Sequence, residues 1–337
     1  MVLPIAVTAA TSHNPPMKSL HLLLSLPVRL EQVVESAGKA APSLMAICRR
    51  GTLSREVPSL LETCCQAFGI ERQQDWPIAP LTALSDGLEP KNHYWLRLDP
   101  AHLEVGMGGL ILRPAKELAL SASEVLALIG SINSHLREQG LEILAPTPTR
   151  WYLRLSRPPE FVSTPLDQVV GEYMTPHLPR GGDANRLMSM VNEAQMLMHE
   201  HAVNLSREAE GRPAVNGLWL WGGGVMPRPA PKVERVASDD AEVIALARAV
   251  GIRMDPGPGR LRDMGDPSRS MNTLVTLSPG LEDFGLEDYL AKLERDWFRP
   301  LLRDLAFGRI RRLRFGLMAS TGRSFSIDTA QAWRFWR

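Results

Sequence analysis

Apolar positions follow two rhythms along this chain, and the changes between them outline its elements. Leu20 to Val28, reading LHLLLSLPV, is a continuous apolar run of the kind a buried strand shows, and the segment ending APSLMAICRRG predicts a short helix closed by Gly51. A second helix is expected over 56–69, and the Pro- and Gly-rich stretch from Gln73 to Asn92 reads as a long loop. YWLRL at 94–98 and GLILR at 109–113 predict strands. Ser121 with Glu124 forms a capping box that opens a helix ending before Gly140, and LEIL at 141–144 and WYLRL at 151–155 read as two more strands. Strand, strand, helix, strand, strand predicts an α+β subdomain inserted over 93–182.

Helical periodicity dominates the remaining half of the chain. Gly181, Gly182 and Asp183 precede a helix whose Leu187, Met190, Val191, Ala194 and Met198 recur at three- and four-residue steps. GLWLW at 217–221 reads as a strand delivering a turn at Gly222, Gly223 and Gly224. A capped helix over Asp239–Val250, a strand TLVTL at 273–277 and a helix from Leu286 to Phe298, ended by Pro300, complete the pattern. Strands separated by helices predict an α/β fold with a mostly parallel sheet covered by helices. The expected division is a disordered leader over 1–17, a core formed by 18–92 and 183–337, and the insertion between them. In that assembly the first strand shares one sheet with 217–221 and 273–277.

Composition narrows the function classes. With 337 residues, 44% hydrophobic and 22% charged, the chain is long enough for a large core or two domains. A net charge of +1 implies no bulk attraction to nucleic acid or membrane. Cys48, Cys64 and Cys65 have neither a secreted framework's even count nor a metal spacing, and MVLPIAVTAA lacks a basic n-region, so a cytoplasmic location is expected.

The segment from His201 to Gly224 holds the clearest candidate chemistry. Asn204 and Arg207, three apart, share a helix face, and an amide with a guanidinium suits a carboxylate or phosphate. Asn216 precedes the strand that ends at Gly222, Gly223 and Gly224, and ligands of open α/β sheets bind beyond strand ends. Arg97 and Arg154 are possible contributors from the insertion, making a candidate site for a small anionic metabolite; the competing reading is a capped turn, a solvated arginine and glycines that only turn the chain.

APSLMAICRRG, YWLRLDPAHLEV, TPLDQVVGEYM, VNEAQMLMHEHAVN and the tail AWRFWR, in this order, resemble the RpfE-type regulatory protein family, itself similar to archaeal-type cofactor-independent phosphoglycerate mutases of the alkaline phosphatase superfamily. The resemblance runs from about residue 18 to the end and implies an alkaline phosphatase-like core. It also exposes departures. Those mutases hold two divalent metals with an aspartate at the end of the first strand, a serine nucleophile and further Asp and His residues. Here the first strand ends Leu24-Ser25-Leu26-Pro27, and no histidine follows His201. The ligands that bind such ions and activate the nucleophile are missing. No metal, cofactor or catalytic residue is therefore expected.

Isolated candidates carry less. Ser85-Asp86-Gly87, near His93, could form a nucleophile with a base, yet it is ordinary turn chemistry, and Asp99 with His102 reads equally as a strand end and a Pro turn. His199 and His201 are two apart and point to different helix faces. From Arg299 to Arg337 nine arginines face two aspartates, and RLRFGL places Arg312 and Arg314 on one strand face, so an acidic partner or nucleic acid bound there, with Trp333, Phe335 and Trp336 nearby, is a rival role. The leading reading is a non-catalytic regulatory or anionic-ligand-binding protein, with a possible protein partner. A phosphomutase or phosphatase is the enzyme alternative.

Overall fold

The structure, a computed structural model, describes residues 19–26, 28, 30–54, 59–264, 272–278, 285–318 and 322–333, so the expected leader lies outside the described residues. The chain is mixed α/β and divides into two compact units: Met1–Val57 with Val233–Ser238 and Asp255–Arg337, and Pro58–Lys232 with Asp239–Met254.

Unit 1 is built on a seven-stranded sheet. The strands of this sheet are β1 (Ser19–Ser25), β2 (Thr52–Ser54), β8 (Arg235–Ala237), β9 (Arg253–Asp255, of which only Asp255 falls in unit 1), β10 (Asn272–Leu277), β11 (Arg312–Met318) and β12 (Arg323–Asp328), in the order β2-β12-β11-β1-β10-β8-β9. β1 runs parallel to β10 and β11, and β10 parallel to β8, as the apolar runs separated by helices predicted. Two helices near the start, α1 (Leu30–Ala40) and α2 (Pro42–Arg50), and those near the end, α10 (Leu286–Leu293) and α11 (Arg299–Ala306), cover one face. Leu20, Leu22, Leu24, Val275 and Phe315 fill the space beneath them, and Phe298 meets Phe315 edge-on at 5.7 Å.

Two local features depart from the expected pattern. α2 starts at Ala41, which has no capping side chain, and the buried Glu294 caps it from across the unit by accepting from Ser43 N (3.0 Å) and Ser43 Oγ (2.6 Å). Pro300 does not end the last long helix. A π-helical turn over Glu294–Phe298 leads directly into α11, whose first turn holds Pro300.

Unit 2 holds a five-stranded sheet: β3 (Tyr94–Gly106), β4 (Gly109–Pro114), β5 (Ile143–Leu144), β6 (Tyr152–Leu155) and β7 (Gly217–Gly224). At 13 residues β3 is long enough to pair β6 and then β4 along one edge and β7 along the other, all antiparallel. Its helices are α3 (Leu60–Ala67), α4 (Ile78–Ser85), α5 (Ala115–Leu118), α6 (Ala122–Leu136), α7 (Ala184–His199), α8 (Ala202–Ala209) and α9 (Ala241–Ala249); α12 (Thr329–Ala332) belongs to unit 1. The Ser121–Glu124 capping box forms in full at the start of α6.

Three expectations are corrected here. β7 lies in the sheet of β3, not beside β1, because its Leu218 and Leu220 pack against Leu96 and Leu98 in the core of unit 2. The α+β unit accordingly begins near Pro58 and continues through Lys232 rather than spanning 93–182. The loop expected over 73–92 contains α4, whose Ile78 to Ala83 are all buried, with Pro77 as its N-cap and Pro80 in its first turn, where proline is tolerated.

Candidate functional site

The segment 201–224 folds as a clamp. α7 stops at His199, and the His201 ring Nδ1 accepts from Val203 N (3.2 Å) to cap α8. Asn204 and Arg207 then share the buried face of α8, as their spacing predicted. Asn204 Nδ2 donates to Met198 O (2.7 Å) and Val215 O (2.9 Å), while its Oδ1 accepts from Val215 N (2.8 Å). Arg207, 0% exposed, donates through Nε to Pro213 O (2.8 Å), through Nη1 to Glu124 Oε1 (2.9 Å) and through Nη2 to Leu118 O (2.6 Å). Asn216 bridges to β3, accepting from Leu103 N (2.6 Å) and donating to Leu103 O (3.1 Å). Together these side chains hold the return from α8 into β7.

These residues do not converge on one anion. Asn216 precedes β7 and the glycines end it, and at ~3.3 Å per strand residue the two ends stand about 20 Å apart. Gly222, Gly223 and Gly224 form no turn but a buried strand end. Gly222 has φ +67, and a Cβ at Gly223 would lie 2.5 Å from Tyr94 Oη and 2.7 Å from Leu96 Cδ2. Arg154 pairs with Glu142 on the surface at 3.1 Å, and Arg97 is buried. An anion site needs free donors aimed at one point, and here the donors of Asn204, Arg207 and Asn216 already have protein acceptors.

Glu124 accepts from Ser121 N (2.8 Å) as well as from Arg207. Burial acts to raise its pKa, yet the Ser121 and Arg207 hydrogen bonds prevail and hold the carboxyl down at about 2. A carboxyl depressed in the folded state stabilises the fold above its unfolded pKa of about 4.3 and loses that contribution as pH falls toward the folded value. Glu124→Gln should therefore be less stable than the native chain near neutral pH, and the gap should close as the medium is acidified from about 4 toward 2. Urea titrations across that range check it, and a pH-independent gap would count against the assignment.

The densest polar cluster lies under β3, where the i, i+2 spacing sends Arg97 and Asp99 to one face. Arg97 forks onto Asp99 (2.9 and 2.8 Å) and onto Glu242 of α9 (3.0 and 3.2 Å), and its Nη1 also meets Thr82 Oγ1 of α4 at 3.3 Å. The guanidinium carbon sits 5.5 Å from the Tyr152 ring centroid and 5.1 Å from that of Trp221, whose Nε1 donates to Asp99 Oδ2 (2.8 Å). Arg150 joins Asp86, which also accepts from Tyr152 Oη at 2.6 Å. Burial pushes the Asp99 carboxyl up to about 6 even with Arg97 beside it. The network crosslinks β3, β6, β7, α4 and α9, a mechanical role. YWLRLD carried the signal: two opposite charges on one face of an otherwise apolar strand must pair if that face is buried.

The isolated candidates resolve as structure. Ser85 closes α4, Asp86 is its C-cap and is engaged by Arg150, and His93 Nδ1 bonds Lys91 O at 2.9 Å, while the buried Ser85 hydroxyl has no hydrogen-bond partner among the described residues. His102 Nδ1 bonds Ala214 O at 2.8 Å. On β11, Arg312 and Arg314 are exposed while Leu313, Phe315 and Leu317 are buried, the alternation the sequence predicted. Trp333 Nε1 donates to Ala306 O (2.8 Å), whereas Phe335 and Trp336 lie outside the described residues.

The carboxyl ends of the parallel strands in unit 1 mark where a ligand of an open α/β sheet binds. β1 ends at Ser25, and the next amide, Leu26 N, donates to Met318 O (2.7 Å). Beyond β8, Ser238 Oγ shares a 2.5 Å hydrogen bond with Thr276 Oγ1 of β10. Asp239 and Asp240 come next in the chain, and Asp240 caps α9 by accepting from Glu242 N and Val243 N. Asp255, at the end of β9, pairs with Arg235. Among the described residues no three His, Cys, Asp or Glu side chains come together as a metal site.

The sequence relatives of this chain are cofactor-independent phosphoglycerate mutases. It is 40% identical over 74 residues to the 2,3-bisphosphoglycerate-independent phosphoglycerate mutase of Methanothrix thermoacetophila, covering 22% of this chain and 18% of that protein. It is 33% identical over 90 residues to the probable enzyme of that name from Geobacter sulfurreducens, covering 26% and 23%. A third, from Methanothermobacter thermautotrophicus, is 27% identical over 140 residues, covering 41% and 35%. The matches thus span between about a fifth and about a third of the relatives' length. No family model matches the chain. Among solved structures, the cofactor-independent phosphoglycerate mutase of Thermoplasma acidophilum aligns at 16% identity and a TM-score of 0.43, covering 93% of this chain and 90% of that one. A Pyrococcus horikoshii protein aligns at 16% identity and 0.49, covering 93% and 87%.

Proposed function

We propose that this chain is a non-catalytic regulatory protein of the RpfE type, built on a scaffold derived from a cofactor-independent phosphoglycerate mutase. The observation that supports it is the polar inventory at the carboxyl edge of the parallel sheet. Two-metal phosphoryl transfer needs carboxylates and imidazoles to hold the ions and a serine activated by them. Among the described residues Ser25, Ser238 and Thr276 stand there, the last two hydroxyls satisfying one another, while the carboxylates of Asp240 and Asp255 are engaged by the α9 cap and by Arg235. Among the described residues this donor set does not fit a pair of divalent metals. The sequence agrees, since no histidine follows His201 in the whole chain.

The purified full chain should fail to interconvert phosphoglycerates with or without added Mn, and elemental analysis should find neither Mn nor Zn at stoichiometric level. Turnover that requires Mn and disappears on chelation, or two metal ions per chain, would falsify the proposal and restore the phosphomutase reading.

A further inference from the structure

Unit 1 contains an apolar hollow of about 310 Å³ between α1, α2 and the β2-β12-β11 side of its sheet. Val33 and Ala37 of α1, Leu44 and Cys48 of α2, and Leu317 and Phe325 of the sheet line it. It stays open for two reasons. β2, the edge strand, is only three residues long, and among the described residues its Leu53, 46% exposed, is the last sheet cover on that side. On α1, Val33 turns inward while Val34, 48% exposed, stands at the rim. The volume is at the lower end of the ~300–1,000 Å³ common for small-molecule pockets.

Among the described residues a single charge lines this hollow. Arg323 opposes Leu317 across β12 and β11 and lies on the same side of β12 as Phe325 and Ile327, the side facing the helices. Arg323 is exposed, and it has no hydrogen-bond or ion-pair partner among the described residues. Burial pushes the Cys48 thiol up to about 12, so it is an apolar part of the wall and no nucleophile. Apolar walls reject a sugar phosphate, whose hydroxyls would lose water without replacement. A lone guanidinium at the mouth of an apolar cleft complements a molecule with an aliphatic body and one anionic head.

We infer that this hollow binds an aliphatic carboxylate of medium chain length, its chain packed among Val33, Leu44 and Phe325 and its carboxylate forked onto Arg323. The inference is independent of mutase turnover, since none of these residues belongs to the carboxyl edge of the parallel strands. Calorimetric titration of the full chain with dodecanoate and with dodecanol, which has the same tail and no charge, tests it. Dodecanoate should bind saturably and dodecanol more weakly. Arg323→Gln should weaken dodecanoate about tenfold or more, as loss of a charged hydrogen bond does, and leave dodecanol unchanged. Val33→Trp should fill the cavity and abolish both. Should that variant fold poorly, Val34→Glu, at the half-exposed rim, keeps the fold and sets a like charge beside the head group, so dodecanoate should weaken selectively. No saturable binding by the native chain, equal affinity for acid and alcohol, or dodecanoate binding unchanged in Arg323→Gln each overturns the inference. So does a homodimer that Val34→Glu dissociates and dodecanoate leaves intact, which would make a second copy the occupant.

Discussion

Replacing Arg97 with Ala should remove about 3–5 kcal/mol of stability from unit 2, the range for breaking one side of a buried ion pair. Arg97 and Asp99 are each 1% exposed, so the substitution leaves a carboxylate in the core facing Glu242 with no cation between them. It also empties the space between the Tyr152 and Trp221 rings. Urea unfolding followed by tryptophan emission measures the loss, and a drop below about 1 kcal/mol, the usual limit for a surface pair, would show the network to be dispensable. Arg154→Ala, which breaks an exposed pair on the neighbouring strand, should stay within about 0.5 kcal/mol. The Arg97→Ala deficit should also depend on pH. In the native chain the buried Asp99 ionises near 6, and without Arg97 it must ionise alone and at higher pH, so the deficit should widen as pH rises above about 6. A charge-free pair, Arg97→Met with Asp99→Leu, should recover much of the loss, because apolar packing can replace a buried ion pair.

Arg207→Ala is expected to be nearly as damaging, by about 3 kcal/mol, because the buried Leu118 carbonyl, the Pro213 carbonyl and the Glu124 carboxylate lose a donor together. Arg207→Lys should recover only part of that, since an ammonium cannot reproduce a planar fork reaching Pro213, Glu124 and Leu118 at once. Thermal melts distinguish this from a ligand role. An Arg207→Ala protein that melts with the native chain but loses affinity for an anionic metabolite would mean that the guanidinium serves a ligand after all.

Legibility followed the range of the interaction. The Ser121–Glu124 box was readable because both partners lie within one helical turn. The alternation in RLRFGL was readable because strand geometry sends neighbours to opposite faces wherever the strand pairs. α4 was missed because Pro77, Pro80 and nearby glycines resemble a loop until the burial of Ile78 to Ala83 is seen. The candidate anion site could not be told from a structural clamp for a related reason. Asn and Arg at i, i+3 on a helix face are the same letters whether their donors meet a ligand or a carbonyl, and the acceptor Leu118 O is 89 residues from Arg207 in sequence.

The sequence by itself determined most of the elements and the absence of any histidine after His201: where apolar periodicity starts and stops is local, and composition is read without a fold. Only the tertiary structure decided which sheet β7 joins, because GLWLW is apolar on both faces and suits either a parallel core or an antiparallel partner. It likewise decided that Arg97, Asp99 and Glu242 form one buried network and that Arg323, unpaired among the described residues, lies beside an apolar hollow. A charge's role depends on its nearest acceptor in space, and the chain brings that acceptor from 2 residues away for Asp99 and from 145 away for Glu242.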